Sequence, residues 1–235
     1  MTAALRTTGL RAGYGEVAVV HDLDLEVRPG EIVALMGANG AGKTTALLTA
    51  AGALRPLGGD LEVLGSADPR EGLRARAARG LALLTDDRSV FRGLTTRENL
   101  RLGRGPMDLA LAAFPELERL LDRPAGLLSG GEQQMLGLGR VLAARPKLLL
   151  ADELSLGLAP IVVHRLLAAV RDLAASGCAV LLVEQQVRLV LEVADRGYVL
   201  QRGRVALSGT GEELRRNRAD IERSYLSVTV EKEDG

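Results

Sequence analysis

Three short strings carry most of the chemistry in this sequence. Residues 37–44 read Gly37-Ala38-Asn39-Gly40-Ala41-Gly42-Lys43-Thr44, a phosphate-binding loop pattern set between an apolar run and a helical stretch. The glycines let the backbone turn tightly, so successive N–H groups can converge on an anion at a helix N-terminus. Lys43 adds a compact ammonium suited to β- and γ-phosphates, where the wide planar fork of Arg fits poorly. Thr44 offers a hydroxyl to Mg2+, and Thr45 is a further donor. A second string, Leu148-Leu149-Leu150-Ala151-Asp152-Glu153, is an apolar strand that delivers two carboxylates at its C-terminal end, where open α/β sheets bind ligands. Beside a phosphate loop, such a pair suits one carboxylate for Mg2+ and one for the attacking water. The third, Leu128-Ser129-Gly130-Gly131-Glu132-Gln133-Gln134, is a capped helix start with two glycines. Its hydroxyl, bare N–H groups and positive helix end suit an anion.

The elements that must hold these strings can be read from the pattern of apolar residues. Residues 5–12 and 17–20 are short strands around Gly13-Tyr14-Gly15, and Leu23, Leu25 and Val27 alternate with Asp24 and Glu26 as in a half-buried strand. Residues 31–36 form an apolar strand before the phosphate loop, and a helix covers about 43–52. Further buried strands are expected at 81–84, 148–150 and 179–183, with strands at 198–201 and 205–207. A helix at about 160–176 carries Val162, Leu166, Leu167, Val170, Leu173 and Ala174 on one face, and another spans about 187–194. Residues 94–144 read as helical, with capping boxes at Thr95–Glu98 and Ser129–Glu132 and punctuation at Pro106, Pro115 and Pro124. Strands alternating with helices imply an α/β fold, with a mainly parallel sheet between helices. The early strands make an antiparallel β subdomain, and residues 94–144 a helical subdomain. The expected organisation is one domain over residues 1–226 and a flexible charged tail over 227–235.

Composition narrows the function. The chain has 235 residues, enough for one large domain with a substantial core. Its 30 basic and 30 acidic side chains cancel, which argues against holding nucleic acid by bulk charge. With Tyr14, Tyr198, Tyr225, Phe91 and Phe114 as its only aromatics, it lacks stacking platforms for single strands. Only three of the basic residues are lysines (Lys43, Lys147 and Lys232), and the arginines are expected mostly on the surface. The single cysteine, Cys178, excludes an internal disulfide framework and reads as a buried small residue. No apolar run approaches a membrane span and no signal peptide is apparent, so a cytoplasmic protein that can dock on a membrane partner is expected.

The string at 128–134, with Ser129 lying 23 residues before Asp152, resembles the signature of ATP-binding-cassette (ABC) ATPases. The resemblance spans essentially the whole chain, so a P-loop NTPase core of the ABC type is implied. It further implies that two such domains pair head to tail, each ATP lying between the phosphate loop of one and Ser129, Gly130, Gly131 and Glu132 of the other. Tyr14 matches the aromatic that stacks on adenine, and Ser155-Leu156-Gly157-Leu158 the loop that links the two sites. Asp152 and Thr44 match the Mg2+ ligands, Glu153 the carboxylate that activates water. Residues 155–160 (SLGLAP), 183–185 (VEQ), 194–200 (ADRGYVL) and Tyr225-Leu226 resemble the smaller ATPase subunit of branched-chain amino-acid importers; urea and amide importer ATPases are a near relative. Such a subunit works with a second ATPase, or pairs with itself in vitro, on two transmembrane permease subunits at the cytoplasmic face of the membrane. A substrate-binding protein feeds that assembly.

Some positions depart from the pattern. The family's Mg2+-sensing glutamine aligns with Asp86, which carries a charge on a shorter arm, and the proline that commonly follows the second carboxylate is Leu154. The family's switch histidine aligns with Gln185, which can donate a hydrogen bond but cannot become cationic near neutral pH. Neither histidine can replace it: His21 sits at a strand edge and His164 off the apolar face of its helix. Residues 103–114 are shorter than the family's usual segment. Two readings follow: an energy-coupling ATPase, or a subunit that mainly binds ATP while its partner does most of the chemistry. A soluble ABC protein of repair or translation fits less well, since the chain has one cassette, no coiled-coil insertion and no basic excess.

Overall fold

A computed structural model of the chain describes residues 2–85 and 89–230. Two sheets organise it. Strands β1 (Leu5–Tyr14), β2 (Val17–Val27) and, further on, β4 (Pro56–Val63) form an antiparallel sheet in the order β2-β1-β4. The second sheet has six strands, in the order β5-β6-β7-β3-β8-β9. These are β3 (Ile32–Met36), β5 (Leu81–Leu84), β6 (Leu148–Asp152), β7 (Ala179–Glu184), β8 (Arg196–Gln201) and β9 (Arg204–Thr210). The first five are parallel, and β9 closes the edge antiparallel to β8.

Strands β3, β6 and β7 are buried at every position, as expected of parallel strands covered on both faces. Their alternation divides the core in two. Val33, Leu35, Leu148, Leu150, Leu181 and Val183 face the antiparallel sheet and the first helix, α1 (Lys43–Ala51). Ala34, Met36, Leu149, Ala151, Val180 and Leu182 face the other helices. Each Val, Leu or Met side chain among them contributes roughly 1.5–3 kcal/mol by leaving water, so both faces of the sheet are anchored before any polar contact is counted.

The remaining helices are α2 (Leu73–Arg79), α3 (Thr96–Arg101), α4 (Met107–Ala113), α5 (Gly130–Ala144), α6 (Pro160–Ala175), α7 (Val187–Leu191), α8 (Gly211–Arg216) and α9 (Arg218–Val230). Helix α6 starts with Pro160 in its first turn, where a missing N–H costs nothing. Its buried face is Val163, Leu166, Leu167, Val170, Leu173 and Ala174. Val162, expected on that face, is only partly buried; its Cγ1 lies 3.1 Å from where a Cβ on Gly131 would stand. The last helix, α9, ends at Val230.

Not all arginines are on the surface. Arg76 is fully buried and donates from Nη1 to the carbonyl oxygens of Thr49 (2.9 Å) and Ala50 (2.7 Å). These are end carbonyls of α1, which a cation satisfies well. Burial holds its guanidinium pKa below the usual value, while the acidic Glu71 and Asp68 act the other way.

Candidate active site

The phosphate-loop residues form the turn between β3 and α1, at the C-terminal edge of the parallel sheet. Gly37 is needed for space: a Cβ there would stand 2.4 Å from the Leu200 carbonyl oxygen. Gly42, the residue before α1, has φ 103° and could not carry a side chain without strain. The loop is tied down by Ala41 N–H donating to Ala38 O and by Gly203 N–H donating to Ala41 O. Asn39 and Gly40 remain exposed. Lys43 is buried, and its Nζ donates to Gly37 O (2.9 Å) and Ala38 O (3.2 Å). Burial lowers its ammonium pKa, while the negative charges of Glu153, Asp152 and Glu184 pull it back up.

Thr44 and Asp152, 108 residues apart in sequence, meet here: Thr44 Oγ1 donates to Asp152 Oδ2 at 2.8 Å. Thr45 is buried one residue further into α1, where its carbonyl accepts from Thr49 Oγ1. A hydroxyl and a carboxylate oxygen side by side are hard donors that fit Mg2+, an ion that usually takes one or two protein oxygens plus phosphate and water. Among the described residues no cluster of three or more His, Cys, Asp or Glu could hold a metal by itself.

Glu153 follows β6 with φ 47°. The left-handed conformation costs a non-glycine residue about 1–2 kcal/mol. The turn is held by Glu153 N–H donating to Val183 O at 2.9 Å. Leu154, which replaces a proline common in the family, is buried in the helix-side core. Two residues on, Ser155 is also buried. Its N–H donates to Glu184 Oε1 (3.0 Å) and its Oγ to Glu184 Oε2 (2.8 Å). Burial pushes the Glu184 carboxyl up to about 7, the Ser155 bonds oppose this, and repulsion from Glu153 and Asp152 adds to it. In the sequence Glu184 stands out only as part of the 183–185 string, with no role of its own.

The other sequence-picked residues stand apart. Tyr14 ends β1 at the tip of the β1–β2 hairpin, 53% exposed and opposite Val17. The hairpin's second strand reaches the loop, with Val20 Cγ2 3.0 Å from where a Gly42 Cβ would stand. Gln185 is exposed between β7 and α7. Asp86 lies outside the described residues. Ser129 caps α5 in a capping box: Glu132 N–H donates to Ser129 Oγ (3.3 Å), and Ser129 N–H donates to Glu132 Oε2 (2.8 Å). Backbone bonding from Ser129 holds the Glu132 carboxyl below its usual pKa. Gly130 and Gly131 form the first turn behind it. Among the described residues no hydrogen bond or ion pair joins 129–132 to 37–44. The two histidines supply no substitute for Gln185: His21 is partly buried within β2, and the exposed His164 faces Glu192 at 3.4 Å.

A groove of about 1420 Å³ opens elsewhere, by Lys147 and Cys178 at the opposite ends of β6 and β7. It contains none of these chemistry-bearing residues.

Residues 20–155 match the ABC transporter family. The chain is 41% identical to the high-affinity branched-chain amino acid transport ATP-binding protein BraG of Pseudomonas aeruginosa, over 87% of this chain and 91% of that one. It is 33% identical to the lipopolysaccharide export system ATP-binding protein LptB of Haemophilus influenzae, over 94% and 96% of the two chains. A nucleotide-free ATP-binding cassette from an ABC transporter superposes with a TM-score of 0.80 at 26% identity, covering 92% of this chain and 94% of that one. No helix among the described residues is long and apolar enough to cross a membrane, and ATP-binding subunits of this kind work with separate transmembrane permeases. The chain therefore belongs to the ABC transporter family, as an ATP-binding domain that hydrolyses ATP to power transport.

Proposed function

We propose that this chain is the ATP-hydrolysing subunit of a membrane importer for branched-chain amino acids. The observation that carries the catalytic part is the convergence of Lys43, the Thr44–Asp152 pair and the turned-back Glu153 at one edge of the parallel sheet. The solute rests on the strings at 155–160, 183–185 and 194–200 and on the similarity to BraG.

In this reading the loop N–H groups and Lys43 hold the β- and γ-phosphates. Thr44 and Asp152, with Asp86, would hold Mg2+, which when bound offsets phosphate charge. Glu153 orients a water and accepts its proton as the water oxygen attacks the γ-phosphorus; the bond from phosphorus to the β–γ bridging oxygen breaks, and ADP leaves. Gln185 donates a hydrogen bond to the γ-phosphate. Tyr14 packs on adenine. Ser129, Gly130, Gly131 and Glu132 serve the ATP of a facing subunit. That facing subunit is a second ATPase, and the pair drives two permease subunits at the cytoplasmic face of the membrane, with a substrate-binding protein upstream.

Replacing Glu153 with Gln should leave ATP affinity intact and reduce turnover by roughly 10² or more in the assembled complex. Unchanged turnover there would overturn the catalytic assignment. Deleting the gene should abolish uptake of leucine, isoleucine and valine; intact uptake would remove the solute assignment, leaving urea or amides as the next class to test.

A second reading, a subunit that mainly binds ATP, draws on the exposed, uncharged Gln185. Glu→Gln changes introduced separately into each ATPase separate the two: this reading needs Glu153→Gln to cost transport nothing while the partner's change abolishes it.

A further inference from the structure

We propose that Glu184 is a positioning residue for hydrolysis, whose carboxylate clamps Ser155 and thereby sets where Glu153 and the 155–158 loop stand. The proposal rests on Glu153 being the water-activating carboxylate. The chain leaves β6 at Asp152, reverses at the left-handed Glu153 and must then be held against the end of β7. Two attachments do this. Glu153 N–H donates to Val183 O, and both donors of Ser155 are taken by the two oxygens of Glu184. Gln186 Nε2 adds a third bond, to Ser155 Oγ at 3.3 Å. The turn is therefore fixed at the N–H of Glu153 and again two residues on at Ser155, and only the second point depends on a side chain.

The choice of an acid at this place needs a reason. Glu184 is 97% shielded, with its carboxylate among the charges of Asp152 and Glu153, an expensive position for a third negative charge. A neutral strand residue would pack there at lower cost but could not accept two hydrogen bonds in parallel. What the acid supplies is bidentate geometry on a backbone N–H and a hydroxyl of one residue, a fork that fixes both direction and distance. Directly beyond lie exposed Leu156 and Gly157, so the clamp also fixes the base of the loop that leads away from the site. A shift of about 1 Å in a reacting group can cost a hundredfold in rate without affecting substrate binding.

The test uses the full chain in its transporter complex, with turnover and equilibrium ATP binding measured separately. Glu184→Ala should lower kcat at least about tenfold and leave ATP affinity within about threefold, because Lys43 and Thr44 are untouched. Glu184→Gln should restore most of the rate: its amide oxygen still accepts from Ser155 N–H, and its NH2 group donates to Ser155 Oγ. Ser155→Ala combined with Glu184→Ala should cost no more than Glu184→Ala alone. If Glu184→Ala keeps full turnover, or loses rate and ATP affinity together in step with its melting temperature, Glu184 is not a positioning residue. Should that variant not fold, Ser155→Ala alone decides: a rate loss at unchanged ATP affinity supports the clamp, and an unchanged rate overturns it. Glu153→Gln run in parallel keeps the two readings apart, since full turnover there removes the basis in Glu153, whereas its loss beside an active Glu184→Ala removes only the clamp.

Discussion

The sheet edge around residues 37–44 and the start of α5 around residues 129–132 both offer N–H groups to an anion, yet they are built in opposite ways. At the sheet edge, apart from Lys43, which bonds within its own loop, the fastenings reach far in sequence: Thr44 to Asp152, Ser155 to Glu184, and the backbone of Glu153 to Val183. At the start of α5 the fastening is entirely local, Ser129 to Glu132 and back. A site held by tertiary contacts is rigid only while the whole core is folded. A capping box holds its shape on its own helix and can be offered to another molecule. Under the proposed assignment, one half of the nucleotide site is made inside the chain, and the other is made to be presented.

The largest effect should come from the first half. Lys43→Ala should weaken ATP binding by about a hundredfold, read by titration calorimetry on the isolated chain; binding within about threefold of the parent would break the contrast outright. Next is stability against pH. Glu184 goes from an ordinary 4.5 when unfolded to about 7 when folded. The folded chain thus keeps a proton that the unfolded chain has lost, and stability falls as pH rises through that interval. The contribution is full below about pH 4.5, is lost as pH passes about 7, and amounts to the order of 3 kcal/mol. Chemical denaturation from about pH 5 to 8 should show this slope, and Glu184→Gln should flatten it. The smallest effect belongs to the second half. Ser129→Ala should cost about 1 kcal/mol of stability by loss of a cap and leave the isolated chain's ATP affinity unchanged. A fall in that affinity would mean that Ser129 serves its own loop, and the contrast would fail.

How much of this could be read in the sequence followed the same division. Elements with local signals were visible: the all-apolar strands β3, β6 and β7, the capping boxes and the glycine-rich turn. Strand β4 was not, because Pro56-Leu57-Gly58-Gly59-Asp60 looks like a loop. It becomes a strand by pairing with β1 through two register shifts, and Gly59 is required where a Cβ would stand 2.2 Å from Gly9 O. Helix α2, Leu-Arg-Ala-Arg-Ala-Ala-Arg, has no apolar period; it is held instead by Arg76 reaching the end of α1. In the site, residues with a chemical pattern of their own could be found, whereas Glu184 stood out only as part of the 183–185 string, because its partner lies 29 residues away and nothing near it in sequence marks the pairing.

Cys178, 3% exposed between α6 and β7 and with its thiol pushed up to about 12 by burial, has a practical consequence. A thiol that is neither accessible nor ionised at working pH reacts slowly with alkylating dyes and spin labels. The natural chain is thus already a near-silent background for site-directed labelling. A single cysteine introduced on the exposed hairpin tip or beside Ser129 would report distances between subunits without first removing a native one.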